Sequence, residues 1–298
     1  MVYTPLYFYG YYFVCKLLHL HPITNLLDIY IAGRVLSFAF FVLQINILYK
    51  ALKKYNLSAF NSLLAITLFT VLITGGFFVA KMDGVKIFFF TLFLLLIIDY
   101  FFYSKTFRSG VFSIIAAGIA ISIKQDALIY TAISLGILLL LKPNKKTLLY
   151  CLSFALFVCT LFFSYYLIFG PDFFTNIILF NLQVITDFSI GSMTMIVILF
   201  SFARTLPLFI LCLLNVVWIY KSKKWSSPET FVTALAVLFF GFAHIAMLRP
   251  GAYLNYSYEA IVLLTLSFAI LLKRKPDLLQ SNPHIKIAVL GMYMAGLF

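Results

Sequence analysis

The sequence predicts an all-α protein: a polytopic bundle of about ten transmembrane spans behind an N-terminal interfacial helix. The first observation is composition, since 64% of residues are hydrophobic, only 10% are charged and the mean hydropathy is +1.07. A soluble domain cannot bury that much apolar surface. The second observation is that clusters of Lys and Arg occupy every second junction between apolar runs. Cytoplasmic loops carry such an excess, so the alternation also orients the spans.

The elements follow from the apolar runs in order. Residues 5–20 are short, rich in tyrosine and interrupted by Gly10, Lys16 and His19, which predicts a helix at the membrane interface. Spans are predicted at residues 30–50, 58–80, 85–103, 110–123, 125–141, 147–169, 195–220, 229–248, 256–272 and 285–298. The run 195–220 is long for one straight span, so a break or an interfacial start is expected near Arg204. Residues 1–298 are predicted to form a single transmembrane domain, with 1–29 at its outer face.

The basic clusters all fall on the side that this alternation makes cytoplasmic. They are Lys50/Lys53/Lys54, Lys105/Arg108, Lys142/Lys145/Lys146, Lys221/Lys223/Lys224 and Lys273/Arg274/Lys275. Because they occupy short loops and form no continuous basic face, the formal charge of +13 does not indicate a nucleic-acid partner. The expected partner is the lipid bilayer. Ionisable residues on the opposite side are costly near hydrocarbon and are therefore candidates for function.

Two short spans, 110–123 and 125–141, meet at Lys124-Gln125-Asp126. Helices that meet below the outer surface leave a wet notch, because non-helical backbone at that depth needs surrounding protein or water. Lys124 is the leading candidate there for binding an anion, with Gln125 and Asp126 lining the site. The alternative is a lysine that snorkels to anchor a helix end.

A tight outer turn, Lys81-Met82-Asp83-Gly84, supplies the candidate acid. Asp83 can act as a general base, as a ligand of a divalent metal or as a group that orients an acceptor. The alternative is an ion pair with Lys81 or Lys86, or an N-cap of the following helix. No cysteine or histidine spacing predicts a metal site, so the cofactor requirement stays open.

A third candidate group lies at the last outer turn and the start of the following span: Arg249, Asn255, Tyr256 and Glu259. Asn255 and Glu259 are four residues apart and share a helix face. Glu259 needs a partner in an apolar helix, and Arg249 or Lys124 can supply one. Arg249 can equally bind a phosphate. The alternative is helix capping with a structural ion pair.

Short motifs in this order resemble those of the GT-C membrane glycosyltransferases, which include protein O-mannosyltransferases and aminoarabinose transferases. They are Tyr3-Thr4-Pro5-Leu6-Tyr7, Gly33-Arg34-x-x-Ser37, Met82-Asp83-Gly84, Ala117-Gly118-x-Ala120-x-x-x-Lys124-Gln125 and Gly251-x-x-x-Asn255-Tyr256-x-x-Glu259. The resemblance implies transfer of a sugar from a polyprenyl-phosphate donor to a glycan, lipid or protein acceptor at the outer or luminal face.

The resemblance also implies roles for individual residues. Lys124 would hold the carrier phosphate, Asp83 would lie near the acceptor, and Tyr3, Tyr7 and Arg34 would wall the site. The principal catalytic acid of the family lies upstream of its Y-x-P-L-Y stretch. This chain starts after that point and stops inside an apolar run, so we expect it to be truncated at both ends.

Three functions stay open at this point: a glycosyltransferase, a transporter or flippase for a lipid-linked or anionic substrate, and an inactive scaffold. The chain shows no internal repeat and its non-cytoplasmic charges gather near one face, which favours the transferase. The absence of paired outer cysteines favours a prokaryotic plasma membrane, with the site facing outward.

Overall fold

A computed structural model describes residues 5–19, 26–77, 83–104, 106–171, 192–247 and 257–276, with a few further positions up to 291. Within these ranges the secondary structure is helical and contains no strand, which confirms the all-α class. The helices are α1 (Pro5–Leu17), α2 (Leu26–Lys54), α3 (Ala59–Phe77), α4 (Asp83–Phe102), α5 (Phe107–Ile123), α6 (Asp126–Leu141), α7 (Lys145–Phe169), α8 (Ser192–Ser222), α9 (Pro228–Ala246) and α10 (Tyr258–Arg274).

The described helices include 5 that are long and apolar enough to cross a membrane, namely α2, α4, α7, α8 and α9. These fit a multi-pass integral membrane protein. Helices α3, α5 and α6 are apolar but shorter over their described parts. The number of crossings near ten therefore stays a prediction, as does the interfacial position of α1. Part of the span predicted at 285–298 lies outside the described residues.

Of the two alternatives near Arg204, the break is wrong, because α8 is one continuous helix of 31 residues, and the interfacial start stays a prediction. Pro207 lies inside it, although proline lacks the backbone N–H that a helix uses. Polar side chains satisfy backbone groups nearby. The Thr205 hydroxyl donates to the Ser201 carbonyl, and the Arg204 guanidinium donates to the Val71 carbonyl of α3 at 2.8 Å.

The chain divides into two compact units. Unit 1 comprises residues 1–41 and 77–188, and unit 2 comprises residues 42–76 and 189–298. The prediction of a single domain is not tested by this division. Within unit 2, helices α8, α9 and α10 pack against one another. Asn215 of α8 donates to the Ser267 carbonyl of α10 at 2.7 Å and accepts from Arg274, which also stacks over Trp218.

Helix α5 is the packing centre of unit 1, because small residues let its neighbours approach closely. Gly110 faces the ring of Tyr100 on α4, and Gly118 lies against the ring of Phe157 on α7. A Cβ at position 118 would lie only 2.3 Å from Phe157 Cε1. The glycine of the sequence motif therefore has a packing function, since a larger residue would require the Phe157 ring or the helices to move.

A small apolar core packs α1 and α2 against the start of α4 and the end of α5. Val14 and Cys15 of α1 and Ala32 of α2 cluster with Val85 of α4 and Ile123 of α5. Val85 directly precedes Lys86, and Ile123 directly precedes Lys124. Helices α1 and α2, which carry two of the sequence motifs, therefore pack near Lys86 and Lys124, two of the charged residues described below.

The other end of unit 1 carries basic residues of the α6–α7 turn. The ammonium groups of Lys142 and Lys146 donate to the carbonyls of Phe101 and Tyr100, at 2.7 and 3.1 Å. Lys146 Nζ also lies 3.7 Å from the centroid of the Tyr100 ring. These contacts neutralise the carbonyl end of α4, where a helix terminus favours cations.

Candidate functional site

Four charged side chains meet where α4 begins and α5 turns into α6. Lys124 Nζ lies 2.9 Å from Asp83 Oδ1 and 3.6 Å from Asp126 Oδ2. Lys86 Nζ lies 3.0 Å from Asp126 Oδ2 and 4.0 Å from Asp83 Oδ1. Each lysine thus contacts both aspartates, and the group carries no net charge when all four side chains are ionised. We call these four residues the tetrad.

Helix ends place all of the tetrad except Lys86, which lies one turn into α4. Asp83 and Asp126 are the first residues of α4 and α6, where the helix dipole favours a carboxylate. Lys124 follows the last residue of α5, where the dipole favours a cation. Its extended backbone, with φ −153° and ψ 123°, ends α5, and Gln125 returns to helical angles before α6.

Three of the four tetrad side chains are deeply buried, and Asp126 is partly exposed. The side chain of Lys86 is 0% exposed and that of Asp83 3%, against 8% for Lys124 and 19% for Asp126. Buried charges are tolerated only when they are paired, because desolvation of each ion costs several kcal/mol. The Tyr130 ring adds a cation–π contact, with its centroid 5.8 Å from Lys86 Nζ. Each lysine is therefore compensated within the protein.

Asp126 differs from the other three residues. It has the most exposed side chain of the four, and its Oδ2 atom makes both contacts to the lysines. Its Oδ1 atom is buried and has no hydrogen-bond partner within the described part of the chain. A buried oxygen in that state has lost its hydration without gaining a compensating hydrogen bond, which is unfavourable.

Several residues predicted from the sequence come together in this site. Lys124, Asp83 and Asp126 are in mutual contact, and Gln125 occupies the turn between α5 and α6. The alternative considered for Asp83, an ion pair with Lys86, is also present. Lys124 is buried and paired, so it does not snorkel to water.

The other predicted site residues lie on α1, α2 or α10 or outside the described residues. Arg34 lies on α2 between Ala32 and Leu36, and its side chain is exposed. Tyr7 belongs to α1, but its side chain falls outside the described residues. Tyr3, Arg249, Asn255 and Tyr256 also lie outside them. Glu259 is fully buried in the first turn of α10, in unit 2.

Lys86 is the functional candidate that sequence reasoning missed, because it was considered only as a counterion. One signal was available: a lysine that follows Asp83 by three residues and starts the apolar segment Ile87–Ile98 of α4. Ionisable residues inside apolar helices are rare and usually face a protein interior. No group of three or more His, Cys, Asp or Glu side chains suited to a metal occurs within the described ranges.

Comparison with known proteins finds no matching family, no matching curated protein and no matching solved structure. The chemistry of the site must therefore carry the functional argument. The tetrad offers two ammonium groups that can hold an anion, and carboxylates in direct contact with them that can accept a proton.

Proposed function

We propose that the protein is a membrane glycosyltransferase that takes a sugar from a polyprenyl-phosphate donor and passes it to an acceptor hydroxyl. The observation that carries this proposal is the 2.9 Å contact between Lys124 Nζ and Asp83 Oδ1. It puts a phosphate-binding cation and a candidate base side by side in a water-poor region. Glycosyl transfer from a lipid phosphate needs both groups at the same place.

In the proposed reaction Asp83 is the base, and Lys124 and Lys86 are the cations that hold the phosphate. The acceptor oxygen attacks the anomeric carbon, and the Asp83 carboxylate takes the proton of the acceptor hydroxyl. The bond from the anomeric carbon to the phosphate oxygen breaks, and its electron pair stays with the phosphate. The leaving polyprenyl phosphate thereby gains a negative charge, which Lys124 and Lys86 stabilise.

Sidedness supports an outward-facing site. Lys142 and Lys146 contact Tyr100 and Phe101 near the end of α4, whereas Asp83 starts this helix. Asp83 and Tyr100 are separated by about 25 Å at 1.5 Å per residue. Because basic loops favour the cytoplasm, the tetrad belongs to the opposite side of the membrane. The prokaryotic plasma membrane is part of the same proposal.

The test is binding and turnover of short-chain polyprenyl-phosphate sugars by the full chain in lipid nanodiscs. We expect Lys124→Met to weaken donor binding about 100-fold, the loss of one strong charge-assisted contact. Lys145→Met is the matched control, because Lys145 is exposed at the start of α7, and it should bind like the wild type.

Two results would contradict the proposal. Equal donor binding by wild type and Lys124→Met would remove the tetrad from the donor site. Transmembrane movement of intact donor in sealed vesicles, without release of polyprenyl phosphate, would instead establish the transporter or flippase alternative.

A further inference from the structure

We propose that Asp126 is an internal competitor for the donor phosphate: its carboxylate occupies the lysine pair at rest and is displaced when a phosphodiester monoanion binds. This inference rests on the proposed function, since it names how that site admits its substrate. It predicts a ligand class, a singly charged phosphodiester carrying a lipid chain, and gives Asp126 a role that a site-lining residue would not have.

The first argument is that a buried site should stay electrically neutral when its ligand binds. The resting tetrad is neutral, with each lysine contacting both aspartates. Adding an anion without removing one would leave a buried net charge of −1, which costs several kcal/mol. Exchanging one carboxylate for a phosphodiester keeps the site neutral. After transfer the base is protonated and the product phosphate is a dianion, so the site is neutral again.

The choice between the two aspartates follows from burial and contacts. Asp83 is 3% exposed, whereas Asp126 is 19% exposed. Within the described residues, Asp126 Oδ1 makes no hydrogen bond although it is buried. Moving Asp126 to water restores the hydration of that oxygen, so its displacement costs less than displacement of Asp83. Asp83 then stays beside Lys124 as the base.

The position of Asp126 suits this exchange. It starts α6 directly after the two-residue turn of Lys124 and Gln125. Side-chain rotation alone can therefore withdraw the carboxylate without unwinding α5 or α6. The phosphate then takes the place of Asp126 Oδ2, which lies 3.0 and 3.6 Å from the two ammonium groups. Both lysines would contact the phosphate there.

The experiment measures binding of dodecyl methyl phosphate, a single-chain phosphodiester, to the full chain in nanodiscs. Asp126→Asn removes the competitor and should tighten binding about tenfold or more. Asp83→Asn changes the net charge equally but leaves the competitor in place, so its gain should be clearly smaller. Asp99→Asn, at the other end of α4, is the control and should bind like the wild type.

Equal gains for Asp126→Asn and Asp83→Asn, or no gain for Asp126→Asn, would overturn the competitor role. These outcomes leave the proposed function intact as long as Lys124→Met still loses binding. Phosphodiester binding that Lys124→Met does not weaken would remove both the proposed donor site and the competitor.

A second measurement on the wild type avoids any folding defect of the variants. Labelling of carboxylates by a water-soluble carbodiimide, read by mass spectrometry, should rise several-fold at Asp126 when dodecyl methyl phosphate is present. Labelling at Asp83 should stay low. A rise at Asp83 instead, or protection of Asp126, would overturn the inference.

Discussion

The two ends of unit 1 hold their lysines in opposite ways. At one end Lys86 and Lys124 are buried against two aspartates. At the other end Lys142 and Lys146 are half-buried and donate to the last carbonyls of α4, with aromatic rings beneath their ammonium groups. Lysine side chains are thus bound by carboxylates at one end and by backbone carbonyls and aromatic rings at the other.

The difference teaches which intramembrane charges deserve a functional interpretation. Lys142 and Lys146 are only half-buried, so weak partners suffice for their ammonium groups. A lysine that is removed from water needs a full counterion. The presence of buried carboxylates, more than the presence of lysines, therefore marks the tetrad end as the candidate site.

The largest expected effect comes from removing the most buried lysine. Lys86→Met leaves two buried carboxylates with one cation, which should lower the free energy of unfolding by about 3–5 kcal/mol. Chemical unfolding in detergent micelles measures it. Lys86→Met/Asp126→Leu restores neutrality and should lose less than the single variant. If the double variant loses as much free energy of unfolding as Lys86→Met and Asp126→Leu lose together, the tetrad is not a coupled network.

A medium effect is expected where α5 meets α7. Gly118→Ala puts a Cβ 2.3 Å from Phe157 Cε1, so the Phe157 ring or the helices must shift, at a cost of about 1–3 kcal/mol in the free energy of unfolding. Because Lys124 ends the same helix, donor binding should weaken as well. Gly136→Ala on α6 is the control, since nothing lies within 4 Å of a Cβ there. A loss at position 136 equal to that at 118 would contradict the packing explanation.

The smallest effect is expected at the basic end. Lys146→Gln removes one carbonyl contact and the cation–π contact with Tyr100, and it should lower the free energy of unfolding by about 0.5–1 kcal/mol. Donor binding should not change. Chemical unfolding of Lys146→Gln and Lys86→Met under the same conditions compares the two ends directly. A loss of free energy of unfolding in Lys146→Gln as large as that in Lys86→Met would mean that both ends depend equally on their charges.

The sequence predicted the helices well because apolar runs end where polar caps begin. The span predicted at 125–141 corresponds to Asp126–Leu141, and the span at 147–169 to Lys145–Phe169. Asn144 shows why the second boundary is sharp, since its side chain accepts from the Thr147 amide at 3.0 Å. The break expected at α8 was inferred from the length of an apolar run, but a continuous helix of 31 residues forms there despite Pro207.

The site was predicted less completely than the fold. Lys124 and Asp83 were recognised as candidates because each lies at a junction of apolar runs. Their direct contact joins residues 41 positions apart, and no pattern of spacing reveals such a pairing. Lys86 was undervalued for the same reason, because its contact with Asp126 bridges 40 positions and depends on how α4 packs beside the α5–α6 turn.

The shortness of α5 and α6 has a consequence for the membrane itself. Helices of 17 and 16 residues are only about 24–26 Å long, less than a hydrocarbon core of about 30 Å. In the proposed orientation, with the basic ends of both helices at the cytoplasmic surface, the turn that carries Lys124 would lie a few ångströms inside the opposite leaflet. Longer acyl chains place it deeper, and shorter ones bring it to headgroup level. Under the proposed function, bilayer thickness would therefore set how far a lipid phosphate must descend to reach the two lysines.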